Sequence, residues 1–265
     1  MIVLKDQLGC EHTFEQTPKR IVSLVPSQTE TLFDLGLEDE IVGITQACIY
    51  PYHLRATKTV VGDLTKVDVE QIKLLQPDII IVNKEETSTA IIESIQAICP
   101  VWVTDVKTLD ENIKMIEAFG ILFNKRTEAR KWIDKIYFGQ KDLMDFVSSK
   151  PGYKAAYFVG KDPFLVAGDS TFIHELLTLN KFENVYASRA EKYPEVEVRK
   201  IRIQGDPELV FLSSVPYPFE EEDAFEIGRF THHGKTIFVD GEMFSWFGTH
   251  VCKAFAYFKQ IHNRL

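Results

Sequence analysis

The chain has 265 residues, 45% of them hydrophobic, and a formal net charge of -9 from 39 acidic against 30 basic side chains. That apolar content fills one large core or two ordinary ones and excludes a disordered chain, while the acidic balance excludes DNA or RNA, whose binding depends on a basic footprint. No apolar run approaches the roughly 20 residues needed to span a bilayer, so the expectation is a soluble chain.

In chain order, MIVLKDQLGC shows neither a basic start nor a long apolar run with a small-residue cleavage site. Either a natural precursor was trimmed, or Met1 is the native start and the protein stays in the cytoplasm. Strand-like runs then follow at Ile21 to Val25, Ile41 to Thr45, Asp78 to Val82 and Val101 to Thr104, separated by helical spacing or turn residues. The same alternation returns with Ala155 to Val159, Phe164 to Ala167, Leu209 to Ser213 and Thr236 to Val239. It predicts an α/β fold of two lobes with mainly parallel sheets.

Between the two series, TEARKWIDKIYFGQKDLMDFVSS places Trp132, Ile133, Ile136, Tyr137, Leu143, Met144 and Val147 on one helical face. This predicts a long bridging helix capped by Thr127 and ended by Pro151-Gly152. The expected division is therefore a lobe over 1–125, a helix over 126–150 and a lobe over 151–265. A weak internal repeat supports it: RIVSLVPSQTETLFDLG resembles PFLVAGDSTFIHELLTLN, and EQIKLLQPDIIIVN resembles RKIRIQGDPELVFLSS.

VPSQTE concentrates hydroxyl, amide and carboxyl groups directly after a strand. Ser27 followed at the third position by Glu30 reads as a capping box. A nucleophilic serine would need a base, and neither a GxSxG elbow nor a His at motif spacing accompanies it, so no catalysis is expected. The position still matters, because open parallel sheets collect ligands beyond the carboxyl ends of their strands, where helix N-termini offer N–H groups. VPSQTE and AGDST would present one such end from each half toward a shared crevice, the plan of a two-lobed binder.

Other polar groups read less specifically. Cys10, Cys48, Cys99 and Cys252 form no CxxC pair and are expected to be buried free thiols of a reducing compartment. His232 and His233 are adjacent, and His12, His53, His174, His250 and His262 show no HxH or HxxxH spacing, so each is read as solvated or packed and no protein metal site is expected. GEMFSWFGTH carries Met243, Phe244, Trp246 and Phe247, an aromatic loop suited to a flat ligand.

RIVSLVPSQTETLFDLGLEDEIVGIT, the following CIYP, VGDLTKVDVEQIKLLQPDIIIV and GKDPFLVAGDSTFIHELL resemble the substrate-binding proteins of ABC importers for vitamin B12 and ferric siderophores, the helical-backbone metal receptors. The resemblance covers essentially the whole chain and is nearest the vitamin B12-binding type. It implies two Rossmann-like lobes bridged by one rigid helix, little closure on binding, no catalysis, no intrinsic cofactor and a monomer. It also implies a ligand that is cobalamin, a ferric siderophore or haem, held in the cleft between lobes. Carried over by position, it makes Pro26, Ser27, Tyr50, Leu64, Phe164, Tyr193, Glu242 and Trp246 the ligand contacts. Leu64 stands where a stacking Trp is expected, and Trp246 near where an Arg is. Tyr50 and Tyr52 flank Pro51 and also read as turn packing, as does Tyr193 before Pro194.

Such binders dock on an ABC permease through an acidic residue of each lobe. VNKEET offers Glu85 and Glu86, and YPFEEEDAFE offers Glu220, Glu221 and Glu222, with Glu86 and Glu222 the pair expected; the helix dipole alone also favours acids there. The resemblance places the protein in the periplasm or on a lipid anchor. The other reading is a cytoplasmic chelatase-like enzyme or tetrapyrrole carrier on the same two-lobed plan.

Overall fold

Residues 1–231 and 233–265 are described by the computed structural model, and they divide into two units. The first comprises Met1–Tyr137 with Phe247–Val251, the second Phe138–Trp246 with Cys252–Leu265.

In the first unit, an antiparallel hairpin of β1 (Ile2–Lys5) and β2 (Glu11–Phe14) precedes the main sheet. There follow β3 (Ile21–Ser23), α1 (Pro26–Asp34), β4 (Ile41–Ile44), α2 (Leu54–Thr57), β5 (Thr59–Val60), α3 (Val69–Leu74), β6 (Ile79–Asn83), α4 (Thr89–Gln96), β7 (Val101–Thr104) and α5 (Leu109–Leu122). The strands lie in the order β5-β4-β3-β6-β7, all parallel. Every residue of β3, β6 and β7 is buried, as strands covered on both faces require. The helices start on side-chain caps: Asp68 accepts from the Gln71 N–H, Ser88 from Ile91, and Thr108 and Glu111 form a reciprocal capping box.

Next comes α6 (Arg126–Ser148), 23 residues that run from the first unit into the second. The expected single face is only partly the buried one. Ile133, Ile136, Leu143 and Val147 are buried, whereas Tyr137 is 50% and Met144 51% exposed. Each follows a buried residue by one position, about 100° around the helix, which turns it out of the stripe. The helix also begins one residue before Thr127, which therefore sits inside the first turn and is not the cap.

The second unit contains β8 (Tyr153–Gly160), β9 (Leu165–Val166), α7 (Phe172–Leu179), β10 (Phe182–Asn184), β11 (Leu209–Ser213), α8 (Glu221–Gly228), β12 (Lys235–Val239), α9 (Glu242–Ser245) and α10 (Val251–His262), whose first residue belongs to the first unit. Its parallel order is β10-β8-β11-β12. The chain is thus an α/β protein with two Rossmann-like parallel sheets and one long helix spanning the two units.

The first repeat is matched in its helix but not in its strand. PFLV forms β9, a short piece antiparallel to β8, whereas the matching segment of the first unit is the central parallel strand β3. The strand of the second unit that corresponds to β3 is β8, one element earlier. In the second repeat a parallel strand ends both copies, but α3 is replaced by a 3₁₀ turn at Val198–Lys200.

Candidate ligand-binding site

β3 ends at Ser23, and three residues later Pro26 opens α1. Pro suits the first helical position because its missing N–H would have no intrahelical acceptor there. The residue before the helix is Val25, which has no capping side chain. The expected capping box of Ser27 and Glu30 is therefore not formed: the helix starts two residues earlier than that motif requires. Ser27 is 2% exposed, and its Oγ has no hydrogen-bond partner among the described residues.

Glu30 instead turns to a residue far away in the sequence. Its Oε2 lies 2.7 Å from Nδ1 of His250, with both side chains buried. The segment carrying His250 is fixed on the same unit by further contacts. Asn112 Nδ2 donates to the Gly248 carbonyl at 3.1 Å, the Thr249 N–H donates to Thr31 Oγ1 at 3.1 Å, and Thr249 Oγ1 donates to Asp34 Oδ2 at 2.6 Å. His250 is packed, as one of the two expected readings had it, and the hydrogen-bond contact with Glu30 is what that reading did not foresee.

A polar layer lies under the α1 terminus. Thr29 Oγ1 donates to Ser23 Oγ at 2.8 Å and contacts Cys48 Sγ at 3.1 Å. Burial pushes the Cys48 thiol up, against the opposing hydroxyls of Thr29 and Thr45. Gln28 Nε2 donates to Thr104 Oγ1 at the end of β7, and its Oε1 is a second buried atom with no partner among the described residues.

Tyr50 is half-buried, its ring centre 4.9 Å from that of Tyr52 and 6.3 Å from that of His250. The Tyr52 hydroxyl donates to that of Tyr50 at 3.2 Å, and Tyr52 is 72% exposed. In the first unit the fold thus brings together the α1 terminus, Glu30, His250 and Tyr50. Leu64 sits in a separate turn, 36% exposed, over an Asp63 carboxylate that accepts from the Thr65 and Lys66 N–H groups at 2.7 and 2.8 Å. The Thr65 hydroxyl and these N–H groups hold the Asp63 pKa below its ordinary value.

In the second unit Phe164 is half-buried, edge-on to Phe158 with ring centres 5.9 Å apart. Tyr193 lies between Lys192 and Pro194, whose carbonyls accept from the Gly168 and Val166 N–H groups at 2.8 and 3.1 Å. Glu242 opens α9 and Trp246 follows its end, both half-buried. The aromatic loop is not all ligand surface: Phe244 is fully buried, 4.8 Å from Phe258 and 5.0 Å from Tyr157, and Phe247 is buried in the first unit. A four-residue helix here turns Phe244 inward while leaving Met243 and Trp246 half-exposed.

The acidic residues also separate. Glu85 is exposed and Glu86 half-buried on a turn whose N–H groups donate to Asn83 Oδ1. Glu220 precedes α8, and Glu221 and Glu222 are exposed in its first turn. The thiols differ from expectation, since only Cys48 is buried and Cys10, on the β1–β2 turn, is exposed. His232 lies outside the described residues, and among those described no three His, Cys, Asp or Glu side chains gather as a metal set.

The model of the periplasmic binding protein family matches residues 21–223. The chain is similar, at 26% identity over 88% of its length and 76% of the relative's, to an uncharacterized ABC transporter substrate-binding lipoprotein of Bacillus subtilis. Its fold matches that of the periplasmic vitamin B12-binding protein of Vibrio cholerae with a TM-score of 0.79 and 19% identity, over 94% of this chain and 99% of that one. A periplasmic haem-binding protein of Pseudomonas aeruginosa matches with a TM-score of 0.76 and 19% identity, over 92% of each chain.

Proposed function

We propose, because this chain belongs to the periplasmic binding protein family, that it is the substrate-binding component of an ABC importer and takes a metal chelate of the cobalamin, ferric-siderophore or haem class. It acts outside the cytoplasmic membrane, as a monomer. The observation that carries the ligand reading is the start of α1, where N–H groups without a side-chain cap stand at the carboxyl end of a parallel sheet, while half-buried Tyr50 lies near His250, the partner of Glu30 in the same helix. Such an end offers donors and a partial positive charge to an anionic or carbonyl-bearing ligand, and the tyrosine offers a face to a flat one.

In this reading Pro26, Ser27, Tyr50 and Leu64 are the contacts of the first unit, and Phe164, Tyr193, Glu242 and Trp246 those of the second. Glu86 and Glu222 meet cationic residues of the permease. The chelatase-like alternative draws no support from the family match.

The test is titration of the chain with cyanocobalamin, haemin and a ferric catecholate, followed by tryptophan emission, with the ligand recovered and analysed afterwards. Saturable binding of one of them, returned chemically unchanged, is expected. Turnover of the ligand, or no binding of any metal chelate, overturns the reading. Trp246→Ala should weaken binding by about 1 kcal/mol or more through the lost aromatic contact, while Trp132→Phe in α6 leaves affinity near that of the parent.

A further inference from the structure

One ammonium group joins two segments of the second unit that sequence separates by more than fifty residues. Lys161, directly after β8, donates through Nζ to Asp223 Oδ1 at 2.6 Å and lies 3.1 Å from Glu226 Oε2. The same Nζ stands 5.6 Å from the centre of the Phe164 ring. Asp223 is itself committed beyond Lys161: its other oxygen accepts from the Glu220 N–H at 2.9 Å and closes the capping box of α8, and the Tyr217 side chain also hydrogen-bonds its carboxylate. Its side chain is only 5% exposed, so the pair is largely withdrawn from solvent on the carboxylate side.

We propose that Lys161 is a positioning residue that couples the ligand contact Phe164 to the acidic first turn of α8. The coupling has a role only if the chain is a substrate-binding protein, as read above. Lys161 holds the Phe164 turn by its charge and by its place over the ring, and Asp223 passes that hold to the helix start. A cationic partner drawn to Glu221 and Glu222 arrives next to Asp223 in the chain and competes with Lys161 for its carboxylate. Docking thereby loosens the Phe164 turn and favours release of the ligand, and by linkage a seated ligand, which holds Lys161 on Asp223, weakens the partner's grip by the same factor.

Hydrogen exchange followed by mass spectrometry on the full chain tests the link without any ligand. Lys161→Met should speed exchange about fivefold or more in both 161–167 and 220–224, while Lys161→Arg restores the parent rates. Acceleration confined to 161–167, or spread evenly through the core strands β8 and β11, overturns the coupling. Haemin and cyanocobalamin serve as probes in a second arm. Whichever saturates the parent should bind Lys161→Met about fivefold more weakly and Lys161→Arg like the parent; equal affinity across the three overturns the positioning role. If neither these probes nor a ferric catecholate bind the parent, the substrate-binding reading loses its support, and the exchange arm alone decides whether the two segments are linked.

Discussion

Ser27 shows how a local motif is overruled by the position of its neighbours. S-x-x-E fits a helix start on sequence alone, but Pro26 takes the first helical position and Glu30 is drawn to His250, 220 residues away. No spacing rule reveals a partner at that distance, so the pair was illegible, while the place of the helix end was not. The correction changes the expected mutational effect. With no cap to lose and a buried hydroxyl that has no partner among the described residues, Ser27→Ala should leave stability within about 0.5 kcal/mol of the parent or raise it, as read from urea midpoints. A loss of chelate affinity in the same variant would mark the hydroxyl as a ligand donor. Gly248 should behave in the opposite way. Its φ of +77° and the approach of Thr31 Oγ1 and the Ser27 carbonyl leave no room for a Cβ, so Gly248→Ala should cost on the order of 1–3 kcal/mol in the same assay.

At the scale of elements, the strands were legible because fully buried parallel strands are continuous apolar runs, and Val101–Thr104 and Leu209–Ser213 fall where the pattern places them. Helix faces were less so: adjacent apolar residues such as Ile136 and Tyr137 cannot both lie on one stripe, and composition does not say which turns inward. The aromatic segment after β12 had the same ambiguity, resolved by the short turn of α9 that buries Phe244. The end of α10 offers a pH test of this packing. His262 stacks on Phe182 with centres 4.9 Å apart, and its Nε2 donates to Asn180 Oδ1 at 3.2 Å. Burial, then the nearby Lys150 charge, holds its pKa below the ordinary value, with the Asn180 contact opposing and Lys181 adding to the depression. Between its folded pKa and the unfolded value of about 6.5, the unfolded chain binds more protons, so stability falls as the pH drops through that window. His262→Gln should flatten the dependence of the urea midpoint between about pH 7.5 and 5.

At the scale of the whole molecule, the first unit is discontinuous in sequence, since Phe247–Val251 belongs to it while the residues on either side belong to the second. A linear reading assigns a terminal segment to the lobe that precedes it and has no signal for such a return. That return supplies His250, Thr249 and Gly248 to the α1 and α5 surfaces, so a fragment of residues 1–137 lacks the imidazole beside Glu30 and the donor to Asp34. Ligand linkage in the full chain gives the corresponding positive test. A ligand that binds only the native state stabilises by RT ln(1 + [L]/Kd), about 2.7 kcal/mol at a hundredfold excess over Kd. For a chain of this size that raises the melting midpoint by about 5–10 °C, and the rise continues with the logarithm of concentration. Scanning calorimetry with cyanocobalamin, haemin and a ferric catecholate should single out one of them by this dependence. The fragment 1–137, deprived of the returning segment, should melt over a broad range and respond to none of the three. A fragment that melted sharply and shifted with ligand as the full chain does would show that Gly248, Thr249 and His250 contribute nothing to the site, and that Glu30 and Tyr50 are held in place without them.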